Sequence, residues 1–301
     1  VKVLVTGATG LVGKEIIKIL HEKDVFVHYL TTSKDKLIHS NKTKGFYWNP
    51  RKGKIDLACI EGVDSIIHLA GASISKRWTS GYKQEIINSR VIPMQILYEL
   101  LQNTPNQVKN IISASAIGVY PSSVEKYYTE DFLDFDDSFL SNVVKKWEES
   151  IDNFAELGIQ VCKLRIGLVL SQKGGVLPKI LNPLQAGLGL LFGSGQQWQS
   201  WIHIEDLAKL FVFALDFQLQ GVYNAVAPDP VTHKEFIFSL TKIKEPPLII
   251  LTLPKLLMKL ILGEKHVLLY DSQRVSSAKI EQKGFQFQYT NLEEALGNLL
   301  K

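Results

Sequence analysis

Cysteine is nearly missing: the chain of 301 residues has two, Cys59 and Cys162. Two thiols make neither a disulfide framework nor a multi-cysteine zinc site, so a reducing, cytoplasmic setting is expected. Charge of one sign is not in excess. Lysine and arginine number 34 against 30 acids, a net charge of +4, and no basic tract interleaved with aromatics is there to track a nucleic acid. Arginine is scarce, with five copies at 51, 77, 90, 165 and 274. Where lysine is the default base, an arginine can mark a place that needs a planar, multi-donor fork, although plain surface pairs use it too. Long apolar runs are also lacking. The greasiest stretch, Pro246 to Gly263, is broken by Pro254, Lys255 and Lys259, short of the ~18 uninterrupted residues of a membrane span, and reads as a packed or surface-docking helix. The N-terminal residues run straight into a glycine turn without a signal-peptide stretch. No internal repeat and no metal-ligand spacing of His, Cys and carboxylates is visible.

What is present suits a large core: 46% of residues are hydrophobic and 21% charged, which excludes a disordered chain. Short β-branched runs at Val1–Thr6, Val25–Thr31, Ser65–Leu69, Val108–Ala114 and Ile159–Ile166 lack polar alternation, as strands of a sheet covered on both faces do. Helix-period segments lie between them at Gly13–Glu22, Gly81–Gln102 (with Pro93 inside, expected to kink it) and Asp137–Leu157. The fold class expected is α/β, a Rossmann-type doubly wound parallel sheet with a smaller C-terminal substrate-side region. Further on, a helix at Glu205–Phe217, a strand at Gly221–Ala227, a Pro228-Asp229-Pro230 turn and a Leu-rich helix near Asn291–Leu300 are expected. The domains divide as 1–225, with a substrate-side insertion at about 167–202, and a mostly helical 226–301.

The strongest motif is Thr6-Gly7-Ala8-Thr9-Gly10-Leu11-Val12-Gly13, directly after a strand and opening a helix. The first glycine permits the tight turn, the second lets backbone N–H groups approach a pyrophosphate, and the third lets helix and strand pack closely. The helix N-terminus adds unsatisfied donors and a positive dipole end. A dinucleotide is therefore the expected cofactor. An NAD site usually ends its second strand with an acid for the ribose 2′-OH. Here Leu30-Thr31-Thr32-Ser33-Lys34-Asp35-Lys36 offers hydroxyls and lysines, so NADP is preferred over NAD; the alternative is that the lysines only solvate a helix start. After the third run, small residues in Leu69-Ala70-Gly71 would let the strand end pass an adenine ribose, while His68 reads as a hydrogen-bonded core residue.

The motifs resemble the extended short-chain dehydrogenase/reductase superfamily, and within it an atypical sugar-nucleotide-epimerase-like family that ends in a small domain of unknown function. Besides the glycine loop, the resemblance rests on Trp48-Asn49-Pro50, Lys76-Arg77-Trp78, Ser89-Arg90, Ser113 to Ala116 and Trp147-Glu148. It continues through Leu164 to Ser171, Lys173-Gly174-Gly175, Gly193-Ser194-Gly195, Trp201 to Asp206, Asn224-Ala225 and Gly284-Phe285. It thus covers nearly the whole chain in order. It implies a cofactor set of Gly7, Thr9, Gly10, Leu11, Val12, Gly13, Thr32, Leu69, Ala70, Gly71 and Arg90. It also implies a substrate cleft for an anionic or nucleotide-linked molecule, lined by Lys76, Arg77, Arg165, Trp201 and His203; alternatively Trp201 only packs, and His203 with Asp206 caps a helix.

The superfamily's proton chemistry uses a Tyr and a Lys four residues apart on one helix face. None of the ten tyrosines has a lysine four positions later, and the helix that should carry the pair offers Leu140 and Val144. Ser115 matches the superfamily's substrate-positioning serine, with a core or capping hydroxyl as the alternative, and Tyr120 is the candidate substitute acid. The acid pairs Asp136-Asp137 and Glu148-Glu149 read as solvated helix faces. Two functions remain open: an NADP-dependent oxidoreductase or epimerase acting on a small molecule, as monomer or homodimer, or a non-catalytic NADP(H) sensor or scaffold.

Overall fold

Val3, Leu4 and Val5 are consecutive and fully buried, so the strand that carries them has apolar packing on both faces. That strand, β1 (Lys2–Thr6), sits inside a sheet with β2 (Phe26–Thr31), β3 (Thr43–Asn49), β4 (Ser65–His68), β5 (Asn110–Ala116), β6 (Gln160–Ile166) and β7 (Gly221–Ala225). The computed structural model describes residues 1–244 and 249–301. The strand order is β7-β6-β5-β4-β1-β2-β3, every pair parallel, the doubly wound order of a Rossmann-type sheet with one strand added. Helices α1 (Leu11–Glu22) and α2 (Ser80–Asn103) follow β1 and β4, whose crossovers run outward in opposite directions; right-handed connections put them on opposite faces. There α1 meets α5 (Ile204–Asp216), and α2 meets α3 (Phe139–Asp152).

A second core joins α4 (Leu177–Gln185) to α6 (His233–Lys244) and α9 (Leu292–Leu299). Leu170, Leu177, Trp201, Phe236, Leu240 and Leu296 are buried together there. The chain between them is pinned by short parallel pairs: Leu168–Leu170 with Trp201–His203, and Leu188–Phe192 with Ile249–Leu253. After α7 (Lys255–Leu262) and α8 (Val267–Tyr270), Arg274–Val275 pairs with Tyr127–Tyr128 just beyond β5. Ile280 and Phe285 then rejoin the main core. The C-terminal quarter is thus bonded into the mouth of the sheet.

Three expectations change. Strand β3 is not among the apolar runs, because Lys44 and Gly45 interrupt it. Gly45 makes room for a ring: a Cβ there would lie 2.5 Å from the Tyr29 hydroxyl, which donates to Lys36 O and accepts from Ile38 N, both at 2.6 Å. The stretch from Pro246 is not one helix. Pro246, Pro247 and Leu248 lie outside the described residues, and the rest is the strand Ile249–Leu253 and then α7, split at Pro254 because proline disfavours helix in the residue before it. Glu148 and Glu149 separate, Glu149 to solvent and Glu148 into the interior. Among the described residues, no helix is long and apolar enough to cross a membrane.

Candidate active site

The turn after β1 leaves no room for side chains. Gly7 has φ +69° and a Cβ on it would lie 2.9 Å from the Leu69 carbonyl carbon; one on Gly13 would lie 2.4 Å from Gly7 O. Gly10 N–H donates back to Gly7 O at 2.9 Å, and α1 begins at Leu11 with no side-chain cap, so its first N–H groups are open to an anion. Beside the turn, at the carboxyl ends of β1, β2 and β4 where the strand order reverses, lies a cleft of about 820 Å³. Gly7, Thr9, Thr32, Ala70 and Gly71 line it, as do Arg51, Glu85, Asn88 and Ser89. An extended dinucleotide fits a cleft of this place and size.

Thr6 ties the cleft's two walls together. Its hydroxyl oxygen accepts from Leu69 N at 3.1 Å and Ala70 N at 3.2 Å, and meets His68 Nδ1 at 2.9 Å. With two N–H groups directed at that oxygen, its own proton goes to Nδ1, which makes His68 the Nε2–H tautomer. Burial, and then the charge of Arg90, press the His68 pKa down to about 3, so the ring is neutral. The Gly71–Ala72 loop is strapped to α2. Ala72 N–H donates to Ser89 Oγ at 2.9 Å, and Arg90 donates to Ile86 O at 2.9 Å and Ala72 O at 3.3 Å. Arg90 also lies 5.1 Å over the Trp147 ring, and burial lowers its pKa to about 10.

Arg90 is also in the wall of a second cavity, of about 240 Å³, at the ends of β5 and β6. Ile74, Leu140, Val143, Val144, Trp147 and Leu268 give it an apolar lining, joined by Trp198 and Asp271. Behind this wall runs a closed polar network. Glu148 accepts from Arg165 through both oxygens at 2.8 and 2.9 Å and from Ser115 Oγ at 2.5 Å. Arg165 also donates to the Tyr120 hydroxyl at 3.0 Å, which donates to Asn224 Oδ1 at 2.8 Å. Burial opposes the Glu148 charge, but Arg165 and Ser115 outweigh it and hold the carboxyl below its ordinary range. Burial raises the Tyr120 pKa, with Arg165 pulling the other way.

The residues named from sequence are therefore divided. Gly7, Thr9, Thr32, Ala70 and Gly71 meet in the larger cleft, and Arg90 lines the smaller cavity while bonding to Ala72 of the larger cleft's wall. Gly10, Val12 and Gly13 build the turn and the start of α1, Leu69 packs beside Gly7, and Leu11 lies against Gly174 and Gly175. Ser115, Tyr120 and Arg165 meet one another in the network, outside the lining of either cavity. Lys76 lines a shallow cleft of about 610 Å³ with Arg51 and Tyr82, and Arg77 is exposed nearby. Trp201 is fully buried and donates to Asp229 O at 2.8 Å. His203 is fully buried and accepts from Glu205 N at the start of α5. Two lining residues carried too weak a signal: Arg51, marked only by arginine's scarcity beside Trp48-Asn49-Pro50, and Asp271, a lone acid in no motif.

Comparison with known proteins fits this geometry. The pattern of the NAD dependent epimerase/dehydratase family matches residues 3–225, and that of a domain of unknown function, DUF1731, matches 253–299. An epimerase family protein of Staphylococcus aureus strain NCTC 8325 is 37% identical over 299 residues, 99% of this chain and 98% of that one. The crystal structure of the human epimerase family protein SDR39U1 (isoform 2) with NADPH is similar at 28% identity and TM-score 0.84, over 99% of each chain. UDP-glucuronic acid 4-epimerase from Bacillus cereus, solved with UDP-glucuronic acid and NAD, shares the fold at 16% identity and TM-score 0.80, over 99% of this chain and 98% of that one.

Proposed function

The chain belongs to the NAD dependent epimerase/dehydratase family, and we propose that it is an NADP(H)-binding oxidoreductase or epimerase acting on a small substrate. The observation that carries this is the cleft at the sheet's switch point, reached by a turn that no Cβ would fit. Gly7, Thr9, Gly10 and the N–H groups of Leu11, Val12 and Gly13 would hold the pyrophosphate. Leu69, Ala70 and Gly71 would pass the adenine ribose. Thr32 and Arg51 would meet a 2′-phosphate, and the hydroxyl-lined end of β2 supports NADP over NAD, as does the NADPH in the human relative. A bound nicotinamide supplies hydride transfer.

The chain's own residues would do the rest. Arg90 strapped to Ala72 O keeps the two cavities in fixed relation. Ser115, Tyr120 and Arg165, bonded through Glu148, would act as positioning residues for the Ala116–Gly118 wall of the smaller cavity. An anionic part of the substrate would meet Lys76 and Arg77 at the mouth, with Trp201 and His203 packed behind the strand ends. The scarcity of cysteine supports a reducing, cytoplasmic setting; both thiols are buried, and burial pushes their pKa values up to about 12, so neither is a ready nucleophile. A second reading, a sensor or scaffold without turnover, draws support from the missing Tyr–Lys pair and the closed network around Tyr120. Single-turnover mixing of NADPH-loaded protein with a panel of carbonyl compounds separates the two. The enzyme reading predicts loss of the reduced-nicotinamide absorbance with at least one compound, and persistent NADPH across the panel sinks it.

A further inference from the structure

The smaller cavity contains two ionisable groups among its lining residues, Arg90 and Asp271. Asp271 follows α8, and the turn that carries it is tied down on several sides. Its own N–H donates to Val267 O at 2.8 Å. Ser272 N–H donates to Ser122 Oγ at 3.0 Å, and Ser272 Oγ donates to Ser123 O at 2.8 Å while accepting from Trp198 N at 3.0 Å. Gln273 Nε2 donates to Tyr120 O at 3.1 Å. Its backbone is thus fixed, as a group that meets a substrate must be. The carboxylate itself has no hydrogen bond among the described residues. Burial raises its pKa, Asp136 adds to the rise, and the charges of Lys255 and His266 oppose it; Arg90 faces the cavity from α2.

We propose that Asp271 exchanges the reaction's proton with the substrate oxygen in this cavity, and that the substrate is a small carbonyl compound, or its alcohol, with an apolar body. This rests on the dinucleotide-binding reading above. Three observations join to carry it. The cavity lies at the carboxyl ends of β5 and β6, where ligands of such sheets sit. It abuts the dinucleotide cleft through Arg90. Its walls are mostly aliphatic and aromatic, with Gln199, Ser200 and Gln273 as the uncharged polar exceptions, so most hydroxyls of a sugar ring would lose water without gaining partners. In the reducing direction a bound reduced dinucleotide would supply a hydride, with its electron pair, to the carbonyl carbon, and the π pair would move to oxygen. That oxygen takes the proton as the Asp271 O–H bond breaks, and the carboxylate regains a proton from water. Arg90, whose hydrogen bonds all leave from one guanidinium nitrogen, steadies the charge on oxygen during transfer.

The test has arms that do not need turnover. In protein without dinucleotide, cyclohexanone is expected to change the fluorescence of Trp147 and Trp198 saturably while UDP-glucose does not; the reverse pattern overturns the substrate class. Carboxyl ¹³C NMR is expected to find Asp271 titrating above an ordinary aspartate, and a titration at or below the ordinary value overturns its role. Asp271→Asn is expected to keep NADPH affinity and to unfold at an equal or higher temperature at pH 7, since it removes a charge whose folded-state pKa is raised. Turnover should fall at least about 100-fold, and the wild-type loss of reduction as pH rises through the Asp271 pKa should vanish, with Asp271→Glu restoring part of the rate. A variant that keeps the wild-type pH profile overturns the proposal. Failure of the wild-type protein to bind NADPH falls on the dinucleotide reading instead, and the first two arms still decide the cavity.

Discussion

Arg165 is 3% and Glu148 10% exposed at the side chain, so each is the other's buried counter-ion. Glu148→Gln leaves the guanidinium buried without its counter-ion and is expected to cost about 3–5 kcal/mol, measured by urea unfolding at pH 7. The pH dependence has a definite sign. The folded-state pKa of Glu148 is lowered, so its contribution is present above the ordinary glutamate value and is lost as pH falls through the folded one. The stability gap between wild type and variant should therefore narrow in acid; a gap that widens contradicts this. Arg165 was expected on the substrate side, inside a recognisable block, but its pairing with Glu148 was not legible in sequence. Glu148 beside Glu149 looks like a solvated face, and only the register of α3 turns one inward. Asp271 was illegible for a related reason, since its role depends on β5, α2 and α8 converging from positions far apart in the chain. Arg90 and Gly71, each inside a recognisable block, were legible.

Elements were read best where burial is two-sided. Strands β1 and β4 announce themselves as short apolar runs, because a sheet covered by helices has no polar face to alternate; β5 and β6 carry Ser113, Ser115, Lys163 and Arg165 within theirs. The edge defeats this signal: β3 carries an exposed Lys44 and needs Gly45 for the Tyr29 ring. The β1–α1 turn is the opposite case, with each glycine answering a measurable lack of space. Gly13→Ala brings a Cβ within 2.4 Å of Gly7 O and 2.8 Å of Ala8 Cα. Neither atom can yield without moving the turn, so the variant is expected to lose about 1–3 kcal/mol and most of its NADPH affinity. Unfolding and titration done side by side check this; wild-type affinity in the variant would show that the turn is not the phosphate site.

At the scale of the molecule, two cores share one mouth. The sheet presents the dinucleotide cleft, while Leu170 and Trp201 pack with the C-terminal helices and the segment at Arg274–Val275 returns to β5. That return brings Asp271 into the lining of the cavity that Arg90 also lines, so this cavity is built from distant parts of the chain. Under the proposed function this mouth takes NADP(H). Isothermal titration calorimetry of the intact protein with NADPH and with NADH, repeated on Arg51→Ala, tests it most directly. NADPH is expected to bind more tightly than NADH, and the variant to lose about 10–100-fold for NADPH alone, the scale of one or two hydrogen bonds to a charged group. Equal affinity for the two cofactors, or a variant weakened equally for both, would contradict it.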